Sequence, residues 1–525
     1  MHSHSAGYSP FCPRCISQGD ESRRGFLRGL GLMSAAVAAP ILQACSGAAA
    51  APVQVASNQR PVSLLIKNAY VTTADSARRV IRDGAVYVLN GEIKMVGDTV
   101  TVVAAYPTAE RVIDASGKLV MPGFFNTHWH ATHIFRQEAY EDDIFPDNIS
   151  LFDRGGDMPG VSSALEGLLS AGSNARITPE EAYVLVAAQL LPMLRAGTTT
   201  VVEMTGPFGD VLPQVAIDLG MRVMPAYSLA DRALSADNSV AQIGNTQTSL
   251  TAAEAYINTW RNHSSGLVHP WVAYAYSVMA SDDLLKGIKT LSDRYSLAYG
   301  GHTAALASEV AFTQAAYGAT PIDRLDSLGL LSSRFMGAHM AWMSDSELAK
   351  IVAARSSISL ATAKYAQSGE NTISGGVAVK ALRQGVNVCL GTDGSGWNDP
   401  PMPTYMHFAM MLNEAGNESV LVQALAALEM GTINSAKAVS MDALTGSLTA
   451  GKRADITIAD ISDLRYVEAS DVMFNFIANA GMKDIETVIV DGRIVVEGNS
   501  VRNLSEAEVA RKFKDTIRSI RSRLA

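Results

Sequence analysis

The sequence predicts an α/β fold: a closed (β/α)8 barrel with a small, discontinuous β-sandwich beside it. Three observations carry this expectation. Short apolar runs recur eight times between residues 119 and 390 with helix-length stretches between them, the alternation of a parallel sheet covered by helices. Turn-punctuated β-rich runs flank that region on both sides. The residues able to do chemistry stand at the C-terminal ends of the apolar runs, where a parallel barrel keeps its site. With 525 residues, 48% of them hydrophobic and 18% charged, the chain can bury a barrel core and a second, smaller one.

Residues 1–50 read as an export signal. Ser22-Arg23-Arg24-Gly25-Phe26-Leu27-Arg28 precedes an apolar, Gly- and Ala-rich stretch from Gly29 to Leu42. This resembles a twin-arginine signal, so the twin-arginine export machinery is an expected partner and the periplasm, or another exported location, the expected site. The stretch falls short of the roughly 20 apolar residues a stable span needs. Leu42-Gln43-Ala44-Cys45 resembles a lipoprotein box, which would make Cys45 a lipid anchor and tether the protein to the membrane. Cleavage among Ala48, Ala49 and Ala50 would instead give a soluble product, and both readings stand. Cys12-x-x-Cys15 lies in the removable segment, so with Cys45 lipidated or lost only Cys389 remains and no intrachain disulfide is expected.

The β-sandwich is expected from residues 60–118 and 445–500. Asn90-Gly91 between Ala85–Leu89 and Ile93–Val96 is a strong hairpin signal, and similar runs return at Asp455–Ala459 and at Thr487–Val490 before Asp491-Gly492. The barrel is expected over 119–444. Its strands are placed at Leu119–Phe125, Thr199–Glu203, Met221–Ala226, Trp271–Tyr276, Leu297–Gly301, Arg334–His339, Ser357–Ala361 and Val386–Leu390. No Gly-rich phosphate loop follows the first run, which argues against an open doubly wound sheet. Residues 131–178 form a long insertion at the barrel mouth, either a pocket wall or lid or a solvated acidic loop. Residues 503–525 read as an exposed amphipathic helix capped by Asn503 or Ser505. The formal charge of −9 and the lack of Lys/Arg clusters exclude nucleic acid and leave a small molecule as the expected substrate. Homo-oligomerisation stays open.

The most informative segment is Pro122-Gly123-Phe124-Phe125-Asn126-Thr127-His128-Trp129-His130. Side chains two apart on a strand point the same way, so His128 and His130 converge, an arrangement suited to a divalent metal. Further polar residues close later apolar runs: Gly301-His302-Thr303, Met336-Gly337-Ala338-His339, and Leu390-Gly391-Thr392-Asp393-Gly394. Together they read as one site, with metal ligands His128, His130, His302 and Asp393. Three imidazoles and one carboxylate suit one Zn or Fe ion.

These motifs, with Ala196-Gly197-Thr198-Thr199-Thr200-Val201-Val202-Glu203 and Gly446–Ile456, resemble the amidohydrolase superfamily. The similar branch is that of triazine hydrolases, guanine and cytosine deaminases, and adenosine or S-adenosylhomocysteine deaminases. The resemblance implies a TIM-type barrel in which Asp393 takes a proton from a water that the metal acidifies toward about pKa 7. His339 would polarise the substrate or steady the developing negative charge. Two-metal members of the superfamily carry a bridging lysine on the fourth strand; Trp271–Tyr276 has none, so one metal is expected.

The chain departs from the deaminase pattern in two places. Where deaminases carry a proton-shuttling glutamate three residues after the fifth-strand histidine, this chain has Ala305; Glu309 and Glu203 are the substitutes within reach. A stretch that reads Pro-x-Ser-Asn in relatives is here Ala363-Lys364-Tyr365-Ala366-Gln367-Ser368-Gly369-Glu370-Asn371. Trp129, Phe135, Trp342 and Trp397 are pocket candidates beside the motifs, and His133 a more remote one behind the ligands. The expected activity is metal-dependent hydrolysis of a C–N or related bond of a small molecule by metal-activated water. The alternatives are a heterocycle deaminase with a relocated carboxylate and a metal-loaded binding protein without turnover.

Overall fold

The computed structural model describes residues 52–131, 177–206, 208–234, 240–368, 376–393, 401–412, 422–466 and 471–524. Arg23-Arg24, Cys45, nearly all of the 131–178 insertion with His133 and Phe135, and Trp397 lie outside the described residues. The fold is mixed α/β, and no helix among the described residues is long and apolar enough to cross a membrane.

Strands β1 (Ser63–Thr72), β2 (Val80–Leu89), β3 (Glu92–Asp98), β4 (Arg111–Asp114) and β5 (Lys118–Pro122) come from the N-terminal side. Strands β17 (Ile456–Asp460), β18 (Ile485–Val490), β19 (Arg493–Glu497) and β20 (Ser500–Val501) come from the C-terminal side. They form one nine-stranded sheet in the order β20-β19-β18-β17-β5-β1-β2-β3, with β4 beside β1. The two pieces join where β5 runs antiparallel to β17, Met121 opposite Thr457. Leu64, Ile66, Val86, Val120, Ile456 and Ile489 bury its apolar face. The hairpin signals hold: Asn90 and Gly91 take φ of 52° and 77°, Asp491 and Gly492 55° and 76°, the paired left-handed residues a tight two-residue turn requires.

The parallel strands are β6 (Phe124–Trp129), β7 (Thr198–Glu203), β8 (Arg222–Met224), β9 (Ala226–Leu229), β12 (Trp271–Tyr276), β13 (Tyr299–Thr303), β14 (Phe335–His339), β15 (Ser357–Leu360) and β16 (Asn387–Leu390). β6-β7-β8 form one sheet and β9-β12-β13-β14-β15-β16 another, while β10 (Arg232–Leu234) and β11 (Val240–Gln242) make a separate hairpin. The two parallel sheets approach at both ends. β8 and β9 are consecutive, parted only by Pro225, and past β16 the Asp393 N–H donates to the His128 carbonyl at 2.7 Å.

Two strand assignments need correction. The run Leu119–Phe125 is not one strand: Lys118–Pro122 joins the nine-stranded sheet, and after Gly123 the chain starts afresh as β6. A Cβ at position 123 would lie 2.3 Å from the Thr199 hydroxyl, so the crossing point accepts only glycine. The run at 221–226 ends early at Met224, because Pro225 has no N–H to give the ladder, and pairing resumes through Leu229. The C-terminal helix, Glu506–Leu524, is less exposed than its pattern suggests. Val509, Ile517 and Ile520 are buried, and Arg195–Glu506 and Arg523–Glu181 ion pairs of 2.6 and 2.7 Å tie it to the helix Pro179–Arg195. Ser505, not Asn503, opens it, its hydroxyl accepting from the Glu508 N–H at 3.3 Å.

Candidate metal centre

His128 lies near the end of β6, His130 one residue past it, and His302 stands in β13 across the parallel strands. Their Nε2 atoms form a triangle, 3.0 Å from His128 to His130, 3.2 Å from His128 to His302 and 3.1 Å from His302 to His130. That spacing is close to the ~3.3 Å edge of a tetrahedron with 2.0–2.1 Å metal–nitrogen bonds. The orientation of His302 is fixed: Nδ1 donates to the Ala275 carbonyl at 2.6 Å, which leaves the Nε2 lone pair facing its neighbours. Burial pushes the pKa values of His128 and His302 well below the usual histidine range, so both rings stay neutral and able to donate. The set fits a divalent cation.

Asp393, 1% exposed, completes the cluster. Its Oδ1 lies 3.2 Å from His130 Nε2 and 3.6 Å from His128 Nε2, and its Oδ2 3.8 Å from His339 Nε2. Burial alone would raise this carboxyl, but the Lys364 ammonium, in direct contact with Oδ2, and the imidazoles beside it hold it well below the ordinary range. His339 receives a second constraint from Tyr365, whose hydroxyl lies 3.0 Å from Nδ1. His339, Met340 and Asp393 all sit at left-handed φ, 72°, 51° and 56°, an uncommon conformation for side-chain-bearing residues that re-aims the chain at the strand ends.

Lys364 and Tyr365 are site residues the motif reading missed. They lie in the stretch that departs from the Pro-x-Ser-Asn pattern, and the signal was a lysine one turn past an apolar strand end, among Ala361, Thr362 and Ala363. Tyr276 is a third, its ring stacked on His302 at 4.7 Å between centroids.

The two candidate carboxylates are both fully buried. Glu309 folds back onto the missing-glutamate position, accepting from the Ala305 N–H at 2.8 Å and the Ser277 hydroxyl at 3.1 Å. Glu203 accepts from the Thr205 N–H and hydroxyl at 3.0 and 2.7 Å and from the Gly206 N–H. Burial raises each to about 7 against these hydrogen bonds. Trp129 corrects an expectation: the alternation that unites His128 and His130 turns it to the opposite side, where it is fully buried in the main apolar core. Trp342 is 43% exposed just past β14.

The amidohydrolase family model matches residues 119–495, nearly three quarters of the chain. The chain belongs to the amidohydrolase family. It is a metal-dependent hydrolase. Among curated relatives, a 5'-deoxyadenosine deaminase of Methanosarcina barkeri is 26% identical over 451 residues, covering 85% of this chain and 95% of the relative. A 5-methylthioadenosine/S-adenosylhomocysteine deaminase of Thermococcus sibiricus is 28% identical over 445 residues, covering 83% and 94%. Two solved structures share the fold: an adenosine deaminase from Xanthomonas campestris with bound zinc (TM-score 0.76, 24% identity, 88% of this chain and 99% of that one) and a zinc-complexed atrazine chlorohydrolase from Arthrobacter aurescens TC1 (TM-score 0.73, 20% identity, 86% and 100%). Within this amidohydrolase the neutral imidazoles and the ionised aspartate are of the donor types such zinc sites use.

Proposed function

We propose that this amidohydrolase cleaves a C–N or related bond of a small molecule with water, at a single divalent ion held by His128, His130, His302 and Asp393. The observation that carries the reading is the convergence of three buried Nε2 atoms and one carboxylate oxygen. A bound ion supplies Lewis-acid activation of water. Asp393, ionised and aimed by its neighbours, accepts the proton, and His339, oriented through Nδ1 by Tyr365, steadies charge on the substrate. Neither step requires a glutamate at position 305.

The same reading takes the two parallel sheets as one closed TIM-type barrel over 119–444, bridged at Pro225 and at the Asp393–His128 hydrogen bond. The nine-stranded sheet is then the curled sandwich of 60–118 and 445–500. Arg23-Arg24 and the apolar run behind them support export by the twin-arginine route to the periplasm, with Cys45 as the lipid anchor if its box is used. The ion is taken as zinc, in keeping with the zinc-bound neighbours.

Elemental analysis should find about one transition-metal ion per chain, and His128→Ala or His130→Ala should strip most of it; two ions, or none in a folded preparation, would sink the reading. Hydrolysis of any substrate in a panel should stop on chelation and return with metal. Changing Arg23 and Arg24 to lysine should leave precursor in the cytoplasm, and Cys45→Ala should release membrane-bound protein only if the anchor is used. A second reading, a deaminase with a relocated carboxylate, is favoured by one contact, the Glu309 carboxylate on the Ala305 N–H. It requires Glu309→Gln to lose turnover as deeply as Asp393→Asn at retained metal. A proton-shuttling group is worth about 10² to 10⁴ in rate, and on the first reading Glu309→Gln loses much less than that.

A further inference from the structure

Lys364 stands in the first turn of the helix Thr362–Ser368, directly after β15, and is 2% exposed. An ammonium is rarely buried so deeply without a purpose for its charge. Its Nζ contacts Oδ2 of Asp393, while Oδ1 is the oxygen turned toward the histidine triangle, 3.2 Å from His130 Nε2 and 3.6 Å from His128 Nε2. The carboxylate therefore has two sides, one for the lysine and one for the metal donors. His339 Nε2 lies 3.8 Å from Oδ2, farther than the Lys364 ammonium. Lys364 and Asp393 are thus opposite charges in direct contact at 2% and 1% exposure, and removing one partner of so deeply buried a pair is strongly destabilising.

We propose that Lys364 is a built-in counter-cation for Asp393, which stabilises the metal-free centre and, because its charge stays beside a bound ion, weakens metal affinity. It is a positioning residue, since it acts through Asp393 and holds Oδ2 so that Oδ1 faces the histidines. The inference rests on reading His128, His130, His302 and Asp393 as a metal centre. It separates two roles that a first glance merges. An ordinary orienting partner raises metal affinity when present, whereas a resident cation within a few ångströms of the ion lowers it.

The test needs zinc alone and no substrate. Wild type, Lys364→Met and Lys364→Arg are compared by thermal melting, metal-free and zinc-loaded, and by zinc affinity in chelator competition. Metal-free Lys364→Met should melt lower than wild type by roughly 5 °C or more, and zinc should close most of that gap. Its zinc affinity should be tighter than wild type by at least about tenfold. Lys364→Arg, which keeps the charge, should track wild type on both measures. If Lys364→Met folds only with zinc while Lys364→Arg folds without it, the proposal is supported in its strongest form. Equal metal-free melting of Lys364→Met and wild type, unchanged or weaker zinc affinity, or equal damage from both substitutions would each overturn it. Wild type that takes up no zinc would refute the metal centre itself, an outcome kept apart from the proposal because the metal-free melting comparison requires no zinc.

Discussion

At Glu309 two forces oppose each other. Burial removes water from the carboxylate and raises its pKa to about 7, although the Ala305 N–H and the Ser277 hydroxyl both favour the ionised form. A carboxyl whose pKa is higher folded than unfolded gives stability that is complete below about pH 4.5 and lost as pH rises through about 7. Replacing Glu309 by Gln keeps the acceptor oxygen and removes the titration. The variant should therefore gain on the order of 2–3 kcal/mol over wild type at pH 8 and nothing at pH 4. Melting curves at the two pH values check this; an equal change at both would mean that packing, not ionisation, decides. Glu203, also raised to about 7, keeps a similar pH-dependent loss in the variant. His128 and His302 act with the opposite sign: with pKa values depressed by burial, their share of metal-free stability is lost as pH falls below about 6.5. At this scale the strand period made much legible. His128 and His130 were readable because a period of two puts them together, and Trp129 was misread where that same period should have turned it away. Lys364 was hidden because it sits on a helical turn after the strand, where neither motif nor alternation marks the direction of a side chain.

Among the elements, the junction of β16 with β6 is a close one that bears directly on the histidines. A Cβ on Gly391 would lie 2.5 Å from both the Cβ and the backbone nitrogen of His128, closer than real Cβ atoms come. Only glycine lets the two strand ends meet, and the hydrogen bond from the Asp393 N–H to the His128 carbonyl at 2.7 Å depends on that meeting. Gly391→Ala should force the strands apart, cost about 1–3 kcal/mol from overpacking, and move Asp393 away from the histidines. Melting and zinc content measured on one preparation check it. A destabilised protein with full zinc would disconnect the junction from the centre. The eight apolar runs announced the parallel strands because nearly every residue in them is buried, the partly exposed Leu297, Arg334 and Asn387 standing at or near the starts of theirs. What they could not announce was the break at Gly123, where one continuous apolar run serves two sheets. Hydrophobicity alone carries no mark of which sheet a strand will join; only the Pro122-Gly123 pair hinted at a change of direction.

On the scale of the whole molecule, a buried ion pair among the described residues ties the discontinuous sheet to the parallel strands. Arg222, which opens β8, is 1% exposed and reaches Asp455, just before β17, with Nε and Nη2 at 2.6 and 3.1 Å; Nη2 also lies 3.1 Å from Asp491, and Nη1 donates to the Gly266 carbonyl at 2.8 Å. The closing stretch Gly446–Ile456, one of the motifs that carried the family resemblance, thus supplies a structural tie. Its carboxylate sits at the start of the parallel strands, away from the strand ends that bear the histidines. Removing one partner of such a pair strands the other as an uncompensated buried charge, which costs about 3–5 kcal/mol, whereas replacing both with apolar groups of similar size is often far milder. Asp455→Asn should therefore lower the melting temperature by several degrees while leaving zinc content and 25 °C turnover near wild type. The double replacement Arg222→Met with Asp455→Leu should recover much of the loss, although Asp491 then loses one of its cations and keeps Arg453 at 2.5 Å and Arg60 at 2.6 Å. A single-substitution cost near the 1 kcal/mol of an exposed pair would mean that water reaches Arg222 once Asp455 is gone. Loss of zinc in Asp455→Asn would show that the two ends of the parallel strands are mechanically coupled, so that the nine-stranded sheet helps to set the geometry of the metal centre and is more than a separate appendage.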